Sequence, residues 1–323
     1  MLRRLLYVAW ALGVIGFASL IAWGGAGQIA ASFAAAGFGP AGVVAYHLLP
    51  MALDTLGWQV LMPTRTRRPF ARVVLFRWCG EAVNALIPLG QVGGELLRGH
   101  LHAGTGVPGP VAIGIAVVDL AATVYAQSGF AAIGLIGLAL IASGQGDLIW
   151  RLSAALGLLV ALIFGFYVAQ KKGMFTRIVG VLEMLALGQN QQPRAYAEAM
   201  DHTVRRLYRR RQRLAASVGL HLLSWVFGAG EVWLAAYFIG KRITVPQAVV
   251  IESLVDMVRG AAFLMPSALG AQEGAFVALG GLFGLAPDQA LAISLIRRVR
   301  ELALGVPGLL VWQAIKLKRI RVS

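Results

Sequence analysis

The chain has 323 residues; 58% belong to the AVILMFWYC set, 40 are Gly, only 13% are charged, and mean hydropathy is +0.73. Soluble domains carry about 25% charged residues, so this composition excludes a soluble globule, and with it a disordered chain, a disulfide scaffold or a nucleic-acid-binding domain as overall descriptions. The net charge of +15 comes mostly from Lys and Arg lying between apolar segments, the pattern of cytoplasmic loops and anionic headgroup contacts.

Apolar runs of about 20 residues mark membrane helices. The first is 5–24, preceded by Arg3 and Arg4; a signal peptide cleaved among the small residues of 30–36 is the other reading of this stretch. Residues 40–62 form the second span, followed by the basic stretch 64–72. The run 73–89 is apolar but short and interrupted. Residues 110–142 are too long for one ordinary span: either two short helices broken near Ser128 and Gly129, or one tilted helix. A span at 152–169 precedes a basic linker, 170–213. Further spans follow at 214–238, at 249–264 with 274–283, and at 290–315, which ends in Lys316, Lys318, Arg319 and Arg321.

The positive-inside rule orients this set. The N-terminus, 64–72, 170–213 and the C-terminus are basic and are expected in the cytoplasm, whereas 25–39 and 144–147 carry no Lys or Arg. Lys241 and Arg242 run against the rule, but they are outweighed by the ten basic residues of 170–213. The expected arrangement is a multi-pass membrane protein with both termini in the cytoplasm.

A shift of 178 positions superimposes the two halves. Pro88 falls on Pro266 and Glu95 on Glu273, so each half has Pro, six residues, then Glu; Asp119 falls on Arg297. The first half enters its leading helix from outside and the second from the cytoplasm, which makes the repeat inverted. Paired helices interrupted by Gly and Pro in such a repeat point to an alternating-access binding site. The expected fold is therefore an all-α polytopic transmembrane bundle with two broken or re-entrant helices. Its units are 1–39, an N-terminal helix and outer loop; 40–143, a first repeat with its break in 73–103; 144–213, a helix plus basic linker; and 214–323, a second repeat with its break in 249–283.

Nine of the 14 acids sit in or beside apolar segments: Asp54, Glu81, Glu95, Asp119, Glu231, Glu252, Asp256, Glu273 and Glu301. Arg77, Arg98, Arg259, Arg297, Arg298 and Arg300 accompany them. Each intramembrane charge costs at least about 2.5–3.5 kcal/mol, so it should pair or face a polar cavity. Helical spacing suggests four local pairs: Arg77–Glu81, Glu95–Arg98, Asp256–Arg259 and Arg297–Glu301. Either these charges staple the bundle, or they line a path for a polar headgroup. Gly90, Gly93 and Gly94 allow close backbone approach, and a half-helix starting near Gly93 would offer free N–H groups to a phosphate beside Arg98. Alternatively, Asn84 satisfies those freed groups. His221, on an apolar span, reads as a satisfied core histidine. An enzyme would need acid–base residues such as His47, Asp54, His100 and His102 gathered together, and no HExxH, Walker A or GxSxG pattern is present.

In the linker, 174–187 has the makings of an interfacial helix, and the arginines of 194–213 read as an anionic-lipid contact. With no aromatic-rich module beside them, nucleic acid is not expected. A homo-oligomer is left open, and no cofactor or metal is implied.

Arg77, Gly80, Asn84, Pro88, Gly93-Gly94-Glu95 and Arg98 resemble the first motif of the flippase-like membrane domain of lysylphosphatidylglycerol synthases. Met265-Pro266 through Glu273, then Gly284 and Arg297 or Arg298, resemble its second motif, although the Pro-Gly stretch is loosened to Pro266-Ser267-Ala268-Leu269-Gly270. The resemblance covers roughly 40–315 and is similar to stand-alone members, among them the hopanoid-biosynthesis-associated HpnL type. It implies a transporter or flippase for a polar-headed lipid, a hopanoid or a phospholipid. With no aminoacyl-transferase domain in this sequence, lipid aminoacylation is not carried over. The alternatives are a membrane-embedded enzyme of lipid or polyprenyl-glycan metabolism, or a non-catalytic assembly subunit of a hopanoid pathway. The expected substrate-binding residues are Asn84, Glu95, Arg98, Asp119, Glu273, Arg297 and Arg298, with backbone breaks at Pro88, Gly93, Gly94, Pro266 and Gly270.

Overall fold

A computed structural model describes residues 15–87, 93–141, 146–178, 191–262 and 268–320. Among the described residues the chain is helical throughout, with no strand. Helix α1 (Ile15–Gly24) bends by 82° into α2 (Ala26–Ala35), the corner being Gly25 at φ +78°. The 40–62 span is divided into α3 (Gly39–Tyr46) and α4 (Leu48–Leu61) at His47. Pro50 supplies the reason: it has no N–H to give the preceding turn, and its ring crowds that turn's carbonyl.

Next come α5 (Phe70–Leu86), α6 (Gly93–Ala103) and α7 (Gly109–Ile141). The described part of the 110–142 stretch, through Ile141, is thus a single helix. Ser128 is accommodated within it, its hydroxyl donating to the Val124 carbonyl one turn earlier at 2.9 Å. Helix α8 (Gly146–Lys171) is followed by α9 (Gln191–Arg209), α10 (Arg211–Phe238), α11 (Val245–Ala261), α12 (Ala271–Leu282) and α13 (Pro287–Ile320). Helix α11 starts sharply because Thr244 and Gln247 cap each other's backbone N–H groups and Pro246 follows the cap.

Two described helices, within α7 and α10, are long and apolar enough to cross a membrane alone, and the α1–α2 pair makes a third if it is one bent span. Helix α13 has 34 residues, ample for a crossing, but it carries charges along its middle. Helices α6 and α12, with 11 and 12 residues, are too short to span a hydrocarbon core of about 30 Å.

Helices α4–α7 and α10–α13 follow one another in the same order. Moreover, α6 and α7 start at 93 and 109, and α12 and α13 start at 271 and 287, each 178 later. Packing between the halves is reciprocal: α5 lies on α13, α11 lies on α7, and α4 lies on α10. Within each half, α5 packs on α6 and α6 on α7, as α11 packs on α12 and α12 on α13.

Two apolar clusters fill the interior. One gathers Trp58, Leu61, Met62, Val73, Phe76, Cys79, Ile115 and Val204; the other gathers Val232, Ile251, Leu254, Phe276, Ile293 and Ile296. The α5–α6 crossing is close: a Cβ placed on Gly80 would lie 2.8 Å from the Gly94 carbonyl oxygen and 2.7 Å from Arg98 Cγ. Small residues where backbones meet are the usual device of membrane helix packing.

The described part of the basic linker packs on this frame. Helix α9 buries Val204, Leu207 and Tyr208 while exposing Arg205, Arg206 and Arg209, and it lies along α7. Asp201 fixes it to the segment after α8 by accepting the Thr176 and Phe175 N–H groups at 2.8 and 3.2 Å and the Thr176 hydroxyl at 2.6 Å. Burial, helped by Tyr125 and Tyr167, pushes the Tyr208 phenol well above its ordinary range, and it donates to Gln170 Oε1 at 2.6 Å. Much of the interfacial stretch 174–187 lies outside the described residues.

Candidate functional site: a buried charge network

Eight of the nine acids found in or beside apolar segments are linked into one continuous network of two clusters, and the ninth, Asp256, lies buried beside the second. The first lies where α4, α5, α6, α7 and α10 meet. Arg77 holds Asp54 at 2.8 Å and Glu81 at 2.7 Å. Arg98, 1% exposed, pairs with Glu95 and with Asp119 at 3.0 Å, its guanidinium 4.8 Å above the Trp58 ring. His221 is wholly buried between two carboxylates, with Nδ1 2.6 Å from Asp54 and Nε2 2.9 Å from Asp119. Ionised carboxylates only accept hydrogen bonds, so an imidazole flanked by two of them is satisfied when both its nitrogens carry a proton.

The second cluster lies between α10, α11, α12 and α13. Arg297 pairs with Glu252 and crosses the Phe276 ring at 5.7 Å. Arg298 reaches Glu273 at 3.0 Å and Glu301 at 2.9 Å, Arg259 reaches Glu301 at 3.2 Å, and Arg300 Nε lies 3.3 Å from Glu231. His47, at the α3–α4 break, joins the clusters. Its Nδ1 is 2.7 Å from Glu231 and 2.6 Å from Arg300 Nη1, and its Nε2 is 3.6 Å from Glu81.

Two of the four local pairs expected from helical spacing hold, Arg77–Glu81 and Glu95–Arg98. The other two are replaced. Arg259 turns to Glu301, and Arg297 turns to Glu252 on α11 rather than to Glu301 on its own helix. A partner on a packed neighbour is desolvated together with the arginine, and attraction is stronger at the lower local dielectric than along a wet helix face.

The sequence-predicted site residues divide between the clusters. Glu95, Arg98 and Asp119 meet in the first, and Glu273, Arg297 and Arg298 belong to the second. Asn84 accepts the Gly94 N–H at 2.8 Å, so it satisfies the start of α6 itself. Glu273 acts likewise for α12: its Oε2 accepts the Gly270 N–H at 2.7 Å, and Ser294 donates to its Oε1 at 3.1 Å. Gly93 and Gly94 open α6, and Gly270, at φ +81°, precedes α12. Pro88, Gly90 and Pro266 lie outside the described residues.

Asp54, Glu81, Arg77, Glu231 and Arg300 were among the charges expected either to staple the bundle or to line a polar path, but they and His47 and His221 were not among the expected substrate-binding residues. The signal for most of them was an ionisable residue within an apolar span, but spacing cannot reveal a partner on another helix. His221 is a satisfied histidine as expected, though satisfied by carboxylates. His47, Asp54 and His102 are not gathered into one group: His47 binds Glu231, Asp54 binds His221 and Arg77, and His102 Nε2 lies 2.8 Å from the Thr66 carbonyl oxygen.

A multi-pass helical membrane protein with a charged interior is the class these features define. The sequence matches the family described as Lysylphosphatidylglycerol synthase TM region over residues 8–308, and the chain belongs to that family. Membership places it among membrane proteins of lipid metabolism or transport. No curated protein matches the chain.

Proposed function

We propose that this protein is a lipid transporter of the bacterial inner membrane, a flippase that moves a polar-headed lipid between leaflets, with a hopanoid derivative or a phospholipid as cargo. One observation carries the reading: a continuous network of eight acids, six arginines and two histidines runs through the bundle past the starts of two short helices. Anchoring needs no such charge, and ionisable groups at membrane depth mark substrate and ion paths. In this reading Arg98, Arg297 and Arg298 contact the headgroup; Glu95, Asp119 and Glu273 balance them; and Asn84 with the glycines shapes the α6 entrance.

The equal 178-residue offsets and the reciprocal packing of α5 on α13 and α11 on α7 support an inverted repeat, with α5–α6 and α11–α12 as re-entrant hairpins. The basic termini and linker support a cytoplasmic N- and C-terminus, and the arginines on the exposed face of α9 support contact with anionic headgroups there.

The test is lipid translocation in proteoliposomes with Arg98→Ala and Glu273→Gln, together with mass spectrometry of the lipid that co-purifies. Both variants are expected to translocate at a small fraction of the native rate while keeping the native melting profile. Full activity in both would overturn the site assignment. The pairing of eight of the nine acids favours a second reading, a non-catalytic assembly subunit whose charges only staple helices. That reading expects no translocation by the native protein and a stable complex with a partner instead.

A further inference from the structure

The second cluster holds five acids against four arginines. Four of the acids engage the arginines: Glu231 with Arg300 at 3.3 Å, Glu252 with Arg297, Glu273 with Arg298 at 3.0 Å, and Glu301 with Arg259 at 3.2 Å. Asp256 is left over. It is only 4% exposed, and among the described residues its Oδ2 has no hydrogen-bond partner and its carboxyl forms no ion pair. The residue expected to neutralise it, Arg259, is turned away to Glu301. Gln127 of α7 donates to the backbone carbonyl of Asp256 at 3.3 Å, not to its carboxyl.

The groups that act on this carboxyl come from several elements. Arg297 and Arg300 of α13 and Arg259 of α11 attract a negative charge there; Glu231 of α10 and Glu252, one turn back on α11, repel it. Helix α7 contributes the neutral Gln127, and α12 contributes Glu273, already held by Arg298 and the Gly270 N–H. Each attracting arginine thus already lies on another acid. An ionised, unpaired carboxylate buried beside two others is the costliest state such a group can take, and a proton removes that cost.

The geometry points to Asp256 as a proton-binding site inside the membrane: its carboxyl carries one proton in the arrangement described here, where the neighbouring arginines are engaged by other acids, and releases it to water when those arginines change partners. This inference rests on the transport reading for its role, in which the proton is the coupling ion, but not for its chemistry. The step is a plain dissociation, Asp–COOH to Asp–COO⁻ and H⁺, with no other reactant. Repairing of Arg297 or Arg259 onto the freed carboxylate would favour release, and return of those arginines to Glu252 and Glu301 would favour uptake.

Infrared spectroscopy of the purified full-length protein at neutral pH decides occupancy without any lipid assay. A carbonyl band of a protonated, weakly hydrogen-bonded carboxylic acid is expected. It should shift when aspartate is labelled with carbon-13 at the side-chain carboxyl, vanish in Asp256→Asn and persist in Glu252→Gln. Absence of the band from the native protein, or its persistence in Asp256→Asn, overturns the inference; so does a band that ignores the aspartate label and vanishes in Glu252→Gln. The labelled native protein tests for the bound proton even if the variant does not fold. In proteoliposomes, an imposed pH gradient is expected to change the native translocation rate several-fold and to leave Asp256→Asn unaffected; equal sensitivity in both overturns the coupling role. Absence of translocation in every sample would refute the transport reading, with the spectrum still deciding the proton.

Discussion

Replacing Asp119 by Ala tests whether the first cluster holds the bundle together. Asp119 has no exposed surface and faces three cationic groups: Arg98 at 3.0 Å, His221 at 2.9 Å and Arg77 at 4.0 Å. Without it, Arg98 keeps only Glu95, and His221 keeps only Asp54. Removing one member of a buried ion pair costs about 3–5 kcal/mol, because the other charge stays buried without compensation. The surviving partners place the expected loss at the lower end, about 3 kcal/mol, which is on the order of a hundredfold in the unfolding equilibrium. Titration of purified protein in mixed micelles with a denaturing detergent, followed by tryptophan fluorescence, measures it. Arg98→Met combined with Asp119→Leu removes charges of both signs and should cost less than the sum of the two single changes, since in the double variant neither leaves the other charge buried without its partner. A single-variant loss within about 0.5 kcal/mol, the range of an inert surface change, would refute the reasoning. So would a double variant as costly as the sum of its parts.

Three further outcomes follow from features outside that cluster. Gly80→Ala should destabilise by about 1–3 kcal/mol in the same titration, because its Cβ would press on the Gly94 carbonyl oxygen at 2.8 Å; a neutral result would mean that the α5–α6 crossing is looser than described. Asp201→Ala removes the acceptor for two backbone N–H groups and the Thr176 hydroxyl, a loss comparable to that of a helix cap, about 0.5–2 kcal/mol; amide exchange in 191–209 should accelerate, and unchanged exchange would show that α9 is held by packing alone. Converting Arg205, Arg206 and Arg209 together to Gln should deplete anionic lipid from discs extracted around the protein, each arginine contributing about 1 kcal/mol at low salt; undiminished enrichment would move the lipid contact elsewhere.

Much of the architecture was legible in the sequence because bilayer thickness and helix rise leave few choices. The two short helices begin at Gly93 and just after Gly270, where Gly-rich stretches interrupt apolar runs. The length of 110–142 left one helix or two open, and the unbroken helix over Gly109–Ile141 decides for one. The split of 40–62 at His47 was not legible, although Pro50 stands in plain view; a single proline in an apolar run reads as a kink only once the packing is known. Within the site, residue types were legible but their pairing was not. The spacing of Arg297 and Glu301 favours a local pair, yet Arg297 reaches across to Glu252, a choice made by helix packing over a distance no sequence window contains. Asp54 and His221, 167 positions apart, show the same limit.

The charges of α13 have a mechanical consequence. Between positions 297 and 300, three side chains fasten this one helix outward to four partners: Arg297 to Glu252 on α11, Arg298 to Glu273 on α12, and Arg300 both to Glu231 on α10 and to His47 at the α3–α4 junction. Successive residues of a helix are turned by about 100°, so a one-residue slip or twist of α13 would pull all these fasteners out of register together. No small rotation can relieve one while sparing the rest. Helix α13 therefore behaves as an indexed shaft, seated in one notch until enough of its charges find other partners at once, and any working cycle of this protein has to proceed in clicks rather than by gradual sliding.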